Sequence, residues 1–205
     1  MLLFAHAGIA LGTAVVLNGL FGRHLDNETT KRTESSAKTS ARSRLVETWV
    51  TSLGRRIDVR ALLVGAVLSD VIDKPVGRLV YGTFGCRLFA HSLIFLLLIV
   101  LAGLYLYHLR RRQNWLLALG FGVFTHLVLD EMWLDTQTLF WPVLGLSFPT
   151  VNYDYWEDDV FHRLFTSPRV YVPELAGLLI LGWIAWLLVR RGKVSDFVRH
   201  GRIRG

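Results

Sequence analysis

Sulfur and acid are what this chain of 205 residues has least of. Its one cysteine, Cys86, excludes an internal disulfide and leaves the redox compartment open. Asp and Glu number 16 against 23 Lys and Arg, a formal net charge of +7. That excess would suit nucleic acid if it were spread over one face, but the bases lie in blocks between apolar runs, the pattern of positive-inside sorting. The first apolar run begins at Leu2 without a basic leader or a small-residue cleavage site. It is therefore expected to be a retained membrane segment rather than a signal peptide. No internal repeat is present. What the chain does have is apolar surface: 52% hydrophobic residues, seven Trp and a mean hydropathy of +0.40. This is too much for an ordinary soluble domain, and the class it implies is an integral membrane protein.

Taken in order, Leu2 to Leu20 is long enough to span and carries His6 near its start. The stretch 21–58 is basic and polar. Its Thr29–Arg44 part has little to bury and is expected to be disordered, whereas Leu45 to Leu53 has the helical spacing of a short surface helix. A shorter apolar run, Val59 to about Ile72, ends in Ser69-Asp70-Val71-Ile72-Asp73-Lys74-Pro75. Leu88 to Leu109 follows, then a basic turn at Arg110–Asn114, and then Trp115 to Leu129. An aromatic-rich region after Asp130, with Trp133, Trp141, Tyr153 and Trp156, has the composition of an interface-dipping segment. A last run, Leu175 to Val189, precedes a basic tail. The expected fold is thus an all-α membrane bundle of about five transmembrane helices over 1–20 and 59–189, with cytoplasmic segments at 21–58 and 190–205. Counting bases fixes the expected orientation. The segment 21–60, the Arg110–Asn114 turn and the tail hold 18 of the 23 Lys and Arg, which puts the N-terminus outside.

On that topology the polar groups inside apolar sequence collect at one level. His6 opens the first run, Asp70 and Asp73 close the second, His91 opens the third, and His126 and Asp130 close the fourth. His126 and Asp130 stand one helical turn apart on one face. Ionisable groups inside apolar helices are costly and need partners. His6, Asp70, Asp73, His91, His126 and Asp130 are accordingly the candidate metal ligands. Imidazole with carboxylate suits a divalent ion, zinc first, with manganese or iron as alternatives. Asp70 and Asp130 are the candidate catalytic carboxylates for a metal-activated water. Arg87 and Trp141 are candidate substrate contacts, and His162 a further one. Each residue also has a plainer reading. His6 suits an interface, Asp70 and Asp73 suit a helix end beside Lys74, His91 suits a cap next to Ser92, and His126 with Asp130 suits a structural hydrogen bond.

These residues resemble an ordered set of motifs. They are His6, Gly65-Ala66-Val67-Leu68-Ser69-Asp70, Arg87-Leu88-Phe89-Ala90-His91-Ser92, His126-Leu127-Val128-Leu129-Asp130 and Phe140-Trp141-Pro142. The set is similar to that of the membrane-bound predicted metal-dependent hydrolases, a group also described as LexA-binding and inner-membrane-associated. The likeness covers about residues 4 to 149. Ser69 replaces a proline of many members, and Asp70 and Asp73 are spaced D-x-x-D rather than D-x-D. The resemblance implies a multi-pass protein of a prokaryotic plasma membrane that hydrolyses an ester, phosphoester or amide with a metal at the outer face. Its partners would be membrane lipids and a small-molecule or lipid substrate, without direct nucleic-acid contact. Two other functions fit the same residues: a metal or proton transporter, and a membrane scaffold with a structural metal and basic cytoplasmic segments for anionic lipid or a regulator.

Overall fold

The computed structural model describes residues 3–26, 57–82, 85–109, 114–149 and 162–200. Every regular element among them is helical: α1 (Leu3–Asp26), α2 (Val59–Tyr81), a 3-10 turn (Phe89–His91), α3 (Leu93–Leu109), α4 (Trp115–Leu129), a second 3-10 turn (Met132–Leu134), α5 (Thr136–Leu139), helical residues 162–166, α6 (Pro168–Arg190) and α7 (Val194–His200). The expected disordered stretch at Thr29–Arg44, the surface helix at Leu45–Leu53, and Tyr153 and Trp156 lie outside the described residues.

Local chemistry sets the helix ends. The Asp58 side chain caps α2 by accepting from Arg60 N at 3.0 Å and Ala61 N at 3.4 Å. Gly82, at φ 75°, closes the same helix in the left-handed region that glycine alone enters without strain. Ser92 receives Phe95 N on its Oγ at 3.3 Å at the head of α3. Pro168 stands at the start of α6, where its missing N–H costs no bond.

Two close helix pairs build the core. In α2 against α4, a Cβ on Gly65 would run into the Leu119 carbonyl, and one on Gly122 into the Leu62 carbonyl and Ala66 amide. In α1 against α6, Gly8 and Gly177 meet backbone to backbone. Small residues at such crossings let helix axes approach closely, so dispersion contacts run along the whole seam. The pairs share a core of Leu11, Val15, Leu62, Ala66, Ala118 and Ile184. A second cluster, Val123, Leu127 and Met132, joins α4 to α3. At the head of α1 the Phe4 amide donates to Glu174 Oε2 of α6 at 3.1 Å. This bond satisfies an unpaired first-turn donor and places a carboxylate at the positive end of α1. It also fixes the turn that carries His6.

The expected five crossings are not borne out. Among the described residues only α6 is both long and apolar enough to cross a membrane. The α3 helix has 17 residues and α4 has 15. At 1.5 Å per residue they reach about 25 Å and about 22 Å, short of a hydrocarbon core of about 30 Å. The Leu88–Leu109 run is not one helix, because its first residues form the 3-10 turn that presents His91. Conversely, α2 continues through Asp70, Asp73 and Pro75 to Tyr81, and those charges interrupt its apolar character. The multi-pass localisation with an outer N-terminus and cytoplasmic C-terminus falls with the five spans on which it was counted. The last apolar helix starts at Pro168 rather than Leu175.

The glycine seams yield a direct test. Gly65→Val must push α2 off the α4 backbone and is expected to destabilise the chain by about 1–3 kcal/mol or more. Gly182→Ala, with nothing within 4 Å of its added carbon, is expected to melt like the parent in detergent.

Candidate metal centre

Four of the six residues expected as ligands come together. Asp70 from α2, His91 from the 3-10 turn, and His126 and Asp130 from α4 each offer one donor atom, and these atoms all lie within 4.8 Å of one another. His91 Nε2 is 3.3 Å from His126 Nε2 and 3.6 Å from Asp70 Oδ1. Asp130 Oδ2 is 3.9 Å from His91 Nε2 and 4.0 Å from His126 Nε2. Asp70 Oδ1 lies 3.9 Å from His126 Nε2.

The hydrogen bonds behind the rings decide which nitrogens face inward. His126 Nδ1 lies 2.8 Å from the Ala66 carbonyl, which only accepts, so Nδ1 carries the hydrogen. His91 Nδ1 lies 2.7 Å from Asp73 Oδ2 and donates in the same way. Each Nε2 is then left with its lone pair toward the centre. Two such lone pairs 3.3 Å apart repel unless a proton or a cation stands between them. Carboxylate and carbonyl support behind an imidazole is also the arrangement that orients histidine ligands in metal sites.

The remaining two expected ligands hold the others in place. Both Asp73 oxygens are taken: Oδ2 accepts from Leu88 N at 2.7 Å and from His91 Nδ1, while Oδ1 accepts from Ala90 N at 3.1 Å. His6 Nε2 lies 2.9 Å from Asp130 Oδ1, and its ring stacks on His126 at 4.2 Å between centroids. It thereby turns Oδ2 of Asp130 toward the centre. Arg87 Nη2 donates to Asp130 Oδ2 at 3.2 Å and Lys74 Nζ to Asp70 Oδ2 at 2.6 Å. Trp141 is engaged within its own loop, stacked on Phe148 and donating to the Leu146 carbonyl. His162 pairs with exposed Thr166. Sequence reasoning missed the Ala66 carbonyl, buried Ser69 (whose Oγ donates to the Ala90 carbonyl at 2.8 Å) and Glu174. A lone carboxylate or hydroxyl within an apolar stretch was the available signal for the last two.

Burial overturns one expectation. His91 and His126 are 1% and 0% exposed, so the centre lies inside the bundle and not on an outer, solvent-facing surface. A metal-bound water offered there to a substrate at the outer interface, with Asp70 and Asp130 as its catalytic carboxylates, is therefore withdrawn as the main reading.

The electrostatics favour a cation. Burial pushes Asp130 up, but the His6 hydrogen bond and Arg87 outweigh it and hold the carboxyl well below its usual range. Asp70 behaves alike, burial being overcome by His91 and Lys74. Burial, with His6 adding to it, pushes His126 down to about 4. For His91, burial acts downward, but hydrogen bonds to Asp70 and Asp73 prevail and raise it above the ordinary imidazole value. The two shifts run in opposite directions, so a proton between the two Nε2 atoms is favoured on His91 over His126. The donor set, two imidazole nitrogens and two carboxylate oxygens on neighbouring elements, fits a divalent ion.

A cation must displace that proton. Metal uptake is expected to release protons, and fewer of them as pH rises. Because a raised pKa means protonation persists to higher pH, affinity should climb as pH rises through the His91 transition and then level off. Calorimetry in buffers of different ionisation enthalpy measures both effects.

No curated protein and no solved structure matches the chain. The family comparison does give a match, and it runs through α1, the centre and α6. The outward apolar residues of α3, among them Leu98 and Leu101, agree with association with a membrane. Over residues 1–194 the chain matches the YdjM inner membrane protein family, and it belongs to that family.

Proposed function

We propose that this chain is a membrane-associated scaffold whose bundle is locked by one buried structural divalent metal. The observation that carries the reading is the enclosed tetrad of donors, with two imidazole lone pairs opposed across 3.3 Å. The ligands come from α2, the 3-10 turn and α4, so one ion ties three separate elements together. Zinc is the ion this set suits best. With bonds of about 2.0–2.1 Å, a tetrahedral site has donor separations of about 3.3 Å. The separations that involve the histidines run from 3.3 to 4.0 Å and all four donors lie within 4.8 Å of one another, so the shell closes by side-chain movement inward. A four-donor, enclosed shell is the form of structural sites, whereas catalytic sites keep a position open.

The competing transport reading lacks support from the helices around the site. A relay needs polar groups at successive levels. Along α3 the run from Leu93 to Leu104 carries no acid, base or phenol, and only Tyr105, Tyr107 and His108 follow near its far end, so nothing in its first three turns carries the chain of groups onward from His91. The basic sequence at 21–58 and 190–205 suits contact with anionic lipid headgroups, a role that belongs with a scaffold.

Metal analysis of the purified full-length chain tests the proposal. One divalent ion per chain is expected, together with a thermal midpoint that falls by several degrees when a chelator removes it. His126→Ala and Asp70→Asn are expected to lose the ion and to show no further drop with chelator. A midpoint indifferent to metal would refute the structural role.

A further inference from the structure

The two cations at the centre differ in what they hold, and the difference matters once a metal is present. Lys74 grips Asp70 Oδ2, while Oδ1 is the oxygen that faces the histidines. Asp70 can thus serve a metal and Lys74 at once. Arg87 instead grips Asp130 Oδ2, the same oxygen that faces His91 and His126. The other oxygen of Asp130, Oδ1, is turned away from the centre toward His6. A cation drawn to Oδ2 withdraws charge from it and repels the guanidinium. Metal and Arg87 therefore compete for one atom.

Charge balance points the same way. With both rings neutral, Asp70, Asp73 and Asp130 against Lys74 and Arg87 leave one negative charge, and a divalent ion between the rings brings the sum to one positive. The surplus lies on a defined side. The histidine side chains are 1% and 0% exposed, whereas Lys74 and Arg87 are 31% and 38% exposed, so a ligand from outside meets the cations first. A planar guanidinium beside an ammonium suits an oxyanion, and phosphate matches the fork of Arg in particular.

We propose that metal loading converts Arg87 from the counter-ion of Asp130 into the hook of a phosphate-binding site at the rim of the centre, with Lys74 as its neighbour. This rests on the metal reading above and adds a ligand to it. The phosphate is either free or the phosphomonoester headgroup of a lipid. Because the coupling is a linkage between two ligands, phosphate must in turn tighten metal binding by the same factor.

The test uses the full-length chain in neutral detergent, with Co2+ as the metal and its visible spectrum as the monitor. Inorganic phosphate and dihexanoyl phosphatidic acid are titrated separately, and dihexanoyl phosphatidylcholine serves as the control. The Co2+-loaded chain is expected to bind at least one phosphate probe about tenfold or more tightly than the metal-free chain. Arg87→Gln should abolish that difference while Co2+ stoichiometry stays at one, and Arg87→Lys should keep part of it. Binding of inorganic phosphate identifies a free ligand; binding of phosphatidic acid alone identifies a lipid. Equal affinity with and without Co2+, an Arg87→Gln variant that binds like the parent, or no binding of either probe would overturn the phosphate site. In those cases Co2+ uptake itself still stands, whereas a chain that takes up no Co2+ overturns the metal centre as well.

Discussion

The Asp73 carboxylate is the point on which the centre depends. It is fully buried, and three donors converge on it: the amides of Leu88 and Ala90 and the His91 ring. The two amides hold the Leu88–Ser92 stretch against α2, and the ring bond then fixes which imidazole nitrogen looks inward. A buried carboxylate is tolerable only when its lone pairs are matched in this way. No buried side-chain nitrogen or oxygen among the described residues is left without a partner. Removing any one of these bonds would leave a charge without full compensation and release the turn that supplies His91.

Around that anchor the fold works by close approach of backbones. Gly65 and Gly122 bring α2 and α4 together so tightly that the Ala66 carbonyl reaches His126 Nδ1. Gly8 and Gly177 do the same for α1 and α6, and the Glu174 bond to the Phe4 amide sets the turn from which His6 reaches Asp130. Packing thus controls chemistry at one remove. The seams decide where carbonyls and carboxylates stand, and these decide the tautomers. The tautomers aim two lone pairs at the same point, where a proton or a divalent ion would relieve their repulsion.

How much of this was legible in the sequence can be judged residue by residue. The gathering of Asp70, His91, His126 and Asp130 was readable, because titratable groups stranded in apolar runs need one another. The division of labour was not. His6 and Asp73 carry the same chemistry as the four candidate ligands, and only three-dimensional contacts show that their acceptors and donors are already engaged. The helix lengths misled for a simple reason. An apolar run such as Leu88–Leu109 includes residues that turn rather than climb, while α2 runs on past its charges because Asp70, Asp73 and Lys74 find partners inside the fold. The Ala66 carbonyl could not have been read at all, since every residue has one.

X-ray absorption at the zinc edge of the metal-loaded chain tests the central claim most directly. The account predicts a first shell of nitrogen and oxygen at about 2.0–2.1 Å, with the outer scattering of two imidazole rings. A shell containing sulfur at about 2.3 Å, which only Cys86 or a methionine could supply, or a shell without imidazole, would contradict it.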